Sequence, residues 1–326
     1  MGEAAGAWPD NPVLAEVWRS GFLESVHRGA VVVLGADGGR LAAAGAVDRP
    51  VLPRSSNKPV QAAAMLAAGW TPRSAEELAL GAASHSGEDA HRRLAGAVLT
   101  GAGLGPDDLG CPPALPKHEP TRAAWLAAGR APERLAMNCS GKHAAMLATC
   151  VAAGWPTAGY LDPDHPLQQA IAAALSRAAG QAVAAVVVDG CGAPQHGMSL
   201  TGLARGVHGL VSAAAGSPGR AVADAMRAHP WLVAGTGRED TGLMQAVPGL
   251  LVKGGADGVH VAALTGAGAV ALKLDDGCDR ARTPVLAAGL RRLGVPSEVL
   301  APWLLTPVLG GGAAVGEVRA APSVAV

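Results

Sequence analysis

Aromatic residues are nearly missing from this chain: its 326 residues include one Tyr, one Phe and seven Trp. Charge of a prevailing sign is also missing, because 26 Lys and Arg balance 26 Asp and Glu. Such a balance offers no electrostatic case for nucleic acid or for an acidic membrane surface. Cysteine is scarce and odd in number, at Cys111, Cys139, Cys150, Cys191 and Cys278, and the irregular spacing is not that of a disulfide framework. No apolar run is long enough to suggest a membrane span. The opening MGEAAGAWPD has no basic stretch followed by an apolar core, and Gly6 stands where a myristoylation pattern needs Ser or Thr. These absences lead to an expectation of a cytoplasmic chain with reduced thiols available for metal.

What the chain does have is small apolar filling. Hydrophobic residues make up 49% and charged residues 16%, with 45 glycines and long alanine-rich stretches. That composition excludes disorder. The length allows a core without disulfide support, and no internal repeat or long linker divides it.

Residues 30–34 (AVVVL) read as a strand, followed by a turn at Asp37-Gly38-Gly39 and a weaker strand near 41–47. Ser55 or Ser56 is placed to cap a buried helix that runs to about Ala68 and stops at Gly69. Helices are expected at 142–154, 166–180 and 218–228, with a short buried strand at 185–190. Residues 249–253, 259–264 and 269–274, separated by glycine turns, read as an antiparallel meander. Thr283 is the expected N-cap of a helix over 283–294, and AVGEV a last strand. The expected architecture is one α+β domain over 1–326. Its ends, about 1–55 and 245–326, form an antiparallel sheet, and the mainly helical middle, about 56–244, is inserted between them.

Ser55-Ser56-Asn57-Lys58 contains a Ser-x-x-Lys spacing, which on a helix puts Ser55 rather than Ser56 on the face of Lys58. A serine hydroxyl needs a base to become a nucleophile, and a lysine whose pKa is lowered by burial or by a neighbouring cation can serve. Alone the spacing is common, and a capping serine beside a solvated lysine would produce it. Two further segments follow in order: a Ser-x-Ser at Ser84-His85-Ser86, and Lys253-Gly254-Gly255 at a strand end. The order S-x-x-K, S-D-N, K-T-G is that of class A β-lactamases and penicillin-binding proteins. A second hydroxyl can relay a proton to a leaving amine, and a strand lysine can hold that hydroxyl. Arg54 precedes the nucleophile and could bind a carboxylate. Asp189, at a strand end, could grip an amino group.

Cys139 and His143 stand four apart at a helix start, and Cys191 lies between two glycines at a strand end. Two thiolates with one imidazole or amine suit zinc and leave a position open for water or substrate. Buried packing residues would give the same spacing. The loop from Gly235 to Thr241 carries mixed polar chemistry, and no phosphate-cradling glycine motif is present.

With these residues in hand, the chain resembles the Asparaginase II family, also called rhizobial-type or class 3 L-asparaginases. The matching segments are ESVHRG (24–29), RSSNKPVQ (54–61), SHSGE (84–88), CPPALPKHE (111–119), MNCSGKHAAML (137–147), DGCGAPQHG (189–197), GREDT (237–241) and VKGGADGV (252–259). The resemblance implies a serine β-lactamase-like fold, a homodimer, and hydrolysis of L-asparagine to L-aspartate and ammonia. It implies a tandem of Ser55 with Lys58, and of Ser84 or Ser86 with Lys253. It also implies one zinc ion per chain on residues matching Cys139, Lys142 and Cys191, with His143 adjacent and facing the substrate. The rival readings are another serine amidase on the same scaffold, such as a glutaminase or a penicillin-recognising enzyme, and a catalytically silent zinc-stabilised amino-acid-binding protein.

Overall fold

The structure is a computed structural model that describes residues 10–325. The reading of the first residues as carrying no leader falls on 1–9, outside the described residues. The chain opens with three strands, β1 (Val13–Arg19), β2 (Phe22–Gly35) and β3 (Arg40–Ala44), then the short β4 (Pro50–Val51). Six helices follow: α1 (Lys58–Ala67), α2 (Ala75–Gly81), α3 (Asp89–Gly101), α4 (Glu119–Ala127), α5 (Ser140–Ala153) and α6 (Pro166–Ala179). Strands β5 (Ala185–Val188) and β6 (Pro194–Ser199) lead into α7 (Leu200–Ser212), α8 (Pro218–Ala228), α9 (Pro230–Val233) and α10 (Glu239–Ala246). The chain closes with β7 (Leu250–Gly254), β8 (Val259–Leu264), β9 (Gly268–Leu274), α11 (Arg282–Arg292), α12 (Ser297–Leu304), β10 (Leu305–Gly310) and β11 (Ala313–Ala320).

The large sheet runs β10-β11-β1-β2-β9-β8-β7, with β3 also paired to β2. Every one of these pairings is antiparallel. Its strands come only from residues 13–44 and 250–320, so the chain ends meet in it. Strands β8 and β9 are buried at almost every position, which requires cover on both faces. Helices α7 and α11 both pack on them. Helix α1 lies within the helical layer against α5, α6, α7 and α8, and its residues from Lys58 to Ala62 are all buried. No helix among the described residues is long and apolar enough to cross a membrane.

Several local expectations need correction. The strand expected at 30–34 is the second half of β2; the first half is largely exposed and pairs with β1, so no apolar run marks it. The strand at 185–188 is exposed, not buried: it is an edge of the small sheet β4-β6-β5, and Val188 is 80% exposed. Neither Ser55 nor Ser56 caps α1. A 3-10 turn over Arg54–Asn57 leads into the helix instead, and Asn57 precedes it without a side-chain cap bond. Likewise Thr283 lies inside α11, which continues a 3-10 turn at Asp279–Ala281, so backbone rather than a hydroxyl starts it.

Candidate active site

Seven separate segments converge on one cleft of about 110 Å³, lined among others by Ser55, Ser84, Asn138, Gly254 and Gly255. It is well below the roughly 300–1,000 Å³ of clefts for drug-sized ligands. Ser55 comes from the 3-10 turn before α1. Arg54, just ahead of it, has φ of 51°, a left-handed conformation that is costly for a side chain with a Cβ. The cost is offset by two carboxylates on its guanidinium. Arg54 Nε is 2.7 Å from Asp189 Oδ1, and the other end meets Asp257. Arg54 and Asp189, expected as substrate grips, are thus engaged with each other, and neither lines the cleft. Burial pushes Asp189 up, but the Arg54 bond and Lys142 outweigh it and hold the carboxyl below its usual range.

The bulkiest fully buried side chains of the described chain are two lysines, Lys58 and Lys253. Burying an amine is expensive, and folds tolerate it chiefly at sites. Lys58 Nζ donates to Ala83 O at 2.6 Å and Ser84 Oγ at 3.0 Å, and lies 3.1 Å from Cys139 Sγ. Among the described residues Ser55 Oγ has no hydrogen bond, to Lys58 or to any other group, although Ser55 lines the cleft. Ser56 Oγ instead donates to Lys253 O at 3.1 Å, tying the turn to β7. Gly255 permits that approach, since a Cβ there would lie 2.7 Å from Pro53 O and 2.9 Å from Ser56 Oγ.

The alternative between Ser84 and Ser86 has a geometric answer for contact. Ser84 reaches Lys58 and the cleft, whereas Ser86 is buried and donates to Ala234 O at 2.8 Å. His85 orients the loop between them. Gly87 N donates to its Nδ1 at 3.1 Å, so the ring proton sits on Nε2, 2.9 Å from Ser140 Oγ. Burial, then His91, keeps this ring neutral.

Lys253 Nζ donates to Gly254 O at 2.7 Å and lies 4.0 Å from Asp240 Oδ2. Burial pushes its amine down to about 7, with Asp240 opposing and Lys58 assisting. Asp240 is fixed by His260 Nε2 at 2.8 Å and Gly254 N at 2.8 Å. Burial would raise its carboxyl, but His260, Lys253 and Arg282 hold it far below the usual range.

Behind Lys58 lie the thiols. Lys142 Nζ is 3.3 Å from Cys191 Sγ, while the Cys139 thiol is directed to Asn138 Oδ1 at 3.7 Å and the Cys191 thiol to Asp189 Oδ2 at 3.6 Å. Interaction with Cys191, opposed by burial and aided by Lys58 and Lys142, pulls the Cys139 thiol well below its ordinary value, whereas interaction with Cys139 and then burial push Cys191 up against the pull of Lys142. Burial alone would lower Lys142, but Cys191, Cys139 and Asp189 raise it. Gly141 allows α5 to close on α2, because a Cβ there would meet Leu80 O at 2.6 Å. His143 Nδ1 lies 2.7 Å from Tyr160 Oη, and its Nε2 is buried without a hydrogen-bond partner. Among the described residues no three His, Cys, Asp or Glu side chains are grouped to hold a metal ion. The candidate donors for a zinc-like ion are the two thiols and, once it has lost its proton, the Lys142 amine 3.3 Å from Cys191 Sγ.

Sequence reasoning assigned no role to four charged residues of the cleft wall: Lys117, Arg238, Asp279 and Arg282. Lys117 and Arg238 lay inside the quoted segments CPPALPKHE and GREDT, which was the available signal; the other two had none.

The family model described as L-asparaginase II matches residues 15–320. Comparison with curated proteins returned no match. Among solved structures, "Mglu in its native form" is similar at 15% identity and a TM-score of 0.42, covering 83% of this chain and 63% of that one. "Mglu in its tris and glutamate form" is similar at 16% identity and 0.42, covering 88% and 62%. The chain thus spans under two thirds of the length of those two proteins. TM-scores this low carry no argument about chemistry.

Proposed function

The chain belongs to the L-asparaginase II family, matched over residues 15–320, and from that premise we propose that it hydrolyses L-asparagine to L-aspartate and ammonia through an acyl-enzyme on Ser55. The observation that carries the reading is the 3.0 Å contact of Lys58 Nζ with Ser84 Oγ beside a cleft that Ser55 also lines. Ser55 Oγ attacks the side-chain amide carbonyl and its proton passes to the lysine-serine pair. The Ser55 backbone N–H is the proposed oxyanion donor. The C–N bond breaks as Ser84 relays a proton to the departing nitrogen, which leaves as ammonia. Lys253, titrating near neutrality, is placed to exchange protons with this network. Water then attacks the ester, aspartate leaves and Ser55 regains its proton.

Cys139, Lys142 and Cys191 would hold a zinc ion, with His143 beside it; zinc, when bound, supplies Lewis-acid charge next to the substrate pocket. The same proposal includes the rhizobial-type subclass, a single domain with the serine β-lactamase-like fold, a homodimer and a cytoplasmic location. In support of the fold, the S-x-x-K, Ser-x-Ser and Lys-Gly-Gly segments meet in one place in that order. Ser55→Ala should remain folded and lose nearly all ammonia release from L-asparagine. Full activity in that variant would end the proposal.

A further inference from the structure

The cleft beside Ser55 is positively charged. Its wall carries Lys117, Arg238 and Arg282 against one carboxylate, Asp279, and the buried Lys58 and Lys253 lie close by. Arg282 is already engaged, with Gly255 O at 2.5 Å, Asp279 at 3.3 Å and Glu239 at 3.4 Å. Lys117 is different. Its side chain has no hydrogen bond or ion pair among the described residues, although it lines the same cleft as the proposed nucleophile. Its backbone is firmly placed, because Lys117 N donates to Ser86 O at 2.9 Å and His118 N to the same oxygen at 3.0 Å. The loop that presents Ser84 therefore also presents Lys117. Arg238 sits at the start of α10 with only a loose pairing, 3.5 Å, to Glu239. Loss of hydration, and next the charge of Arg238, push the Lys117 amine below its ordinary value. Two like charges sharing a small cleft repel each other, and a bound anion would relieve that repulsion beyond what the single carboxylate of Asp279 supplies.

Resting on the amidase reading above, we propose that Lys117 and Arg238 anchor the free α-carboxylate of the substrate. The two cations would then be what favours free L-asparagine over side-chain amides within a peptide, where that carboxylate is tied up. A free carboxylate brings one full negative charge to a site holding the unpaired Lys117 and the loosely paired Arg238, and an α-amide brings none.

The test uses the full chain carrying Ser55→Ala, so that ligands bind without turnover. L-Asparagine and L-asparagine α-amide are titrated by calorimetry into this chain, and into the same chain with Lys117→Met or Lys117→Arg. Lys117→Met should weaken L-asparagine roughly 10- to 100-fold and leave the α-amide unchanged, while Lys117→Arg restores most of the loss. Retained α-amide binding also shows that the variant is folded. Equal weakening of both ligands, no weakening of either, or no binding of L-asparagine at all would overturn the anchor. Ammonia release by the unsubstituted chain is measured in parallel. Lys117-dependent binding without ammonia release sinks the amidase reading and keeps the anchor; ammonia release without Lys117 dependence does the reverse.

Discussion

The contrast between two serines two residues apart gives the sharpest test of the site. Ser84 Oγ accepts from Lys58 Nζ at 3.0 Å on the cleft wall, whereas Ser86 Oγ donates to Ala234 O at 2.8 Å in the interior. Replacing each by alanine should damage different properties. Ser84→Ala removes a proton-relay group from the proposed reaction, which lowers kcat by about 10²- to 10⁴-fold. Its cost in stability should be about 1 kcal/mol or less, because Lys58 keeps its bond to Ala83 O at 2.6 Å and its contact with Cys139 Sγ at 3.1 Å. Ser86→Ala leaves the Ala234 carbonyl without its hydroxyl donor, which costs about 1–3 kcal/mol. The lost hydroxyl lies outside the cleft, and Ser86 O keeps its bond from Lys117 N at 2.9 Å, so kcat should stay within about twofold. Ammonia release with urea denaturation of each variant measures both. A Ser86→Ala enzyme that loses activity while Ser84→Ala keeps it would refute the reasoning.

Lys253 links stability to pH. Its amine titrates near 7 in the folded chain against an ordinary 10.5, so the unfolded chain binds more protons between those values. Its contribution therefore rises as pH rises from about 7 to about 10.5 and is lost as pH falls through 7. Lys253→Met should flatten the stability curve in that window by up to about 1.4 kcal/mol per pH unit, measured by denaturation across pH; an unchanged slope counts against the buried-amine description. Arg54→Lys should cost about 2 kcal/mol, because an ammonium cannot span Asp189 and Asp257 as the guanidinium does; denaturation equal to the parent would contradict this. Zinc added to metal-free protein in weak buffer should release protons, since Lys142 and Cys191 are held protonated. Cys191→Ser should abolish that release, and zinc binding without it would point to other ligands.

The meander at the chain's end was readable because glycine turns separate three apolar runs, and the helices over 142–154, 166–180 and 218–228 because capping and period coincide there. The segments of the candidate site could be picked out because Ser-x-x-Lys, Ser-x-Ser and Lys-Gly-Gly follow one another in order, although each spacing alone is common; that Ser55, Ser84 and Gly254 line one cleft was not legible. Burial was not legible either: Val186–Val188 has the composition of a core strand and lies on an edge, because only partners in space decide what covers a strand. Nor did the linear chain show that Arg54 and Asp189, expected as substrate grips, close on each other across 135 residues. Lys117, Arg238, Asp279 and Arg282 share a wall with Ser55 only after folding. Residue type and periodicity are local and survive in the linear chain. Which lysine loses its water, which serine meets it, and which cation is left unpaired depend on distances between segments, and those exist only once the sheet and the helical layer have closed on each other.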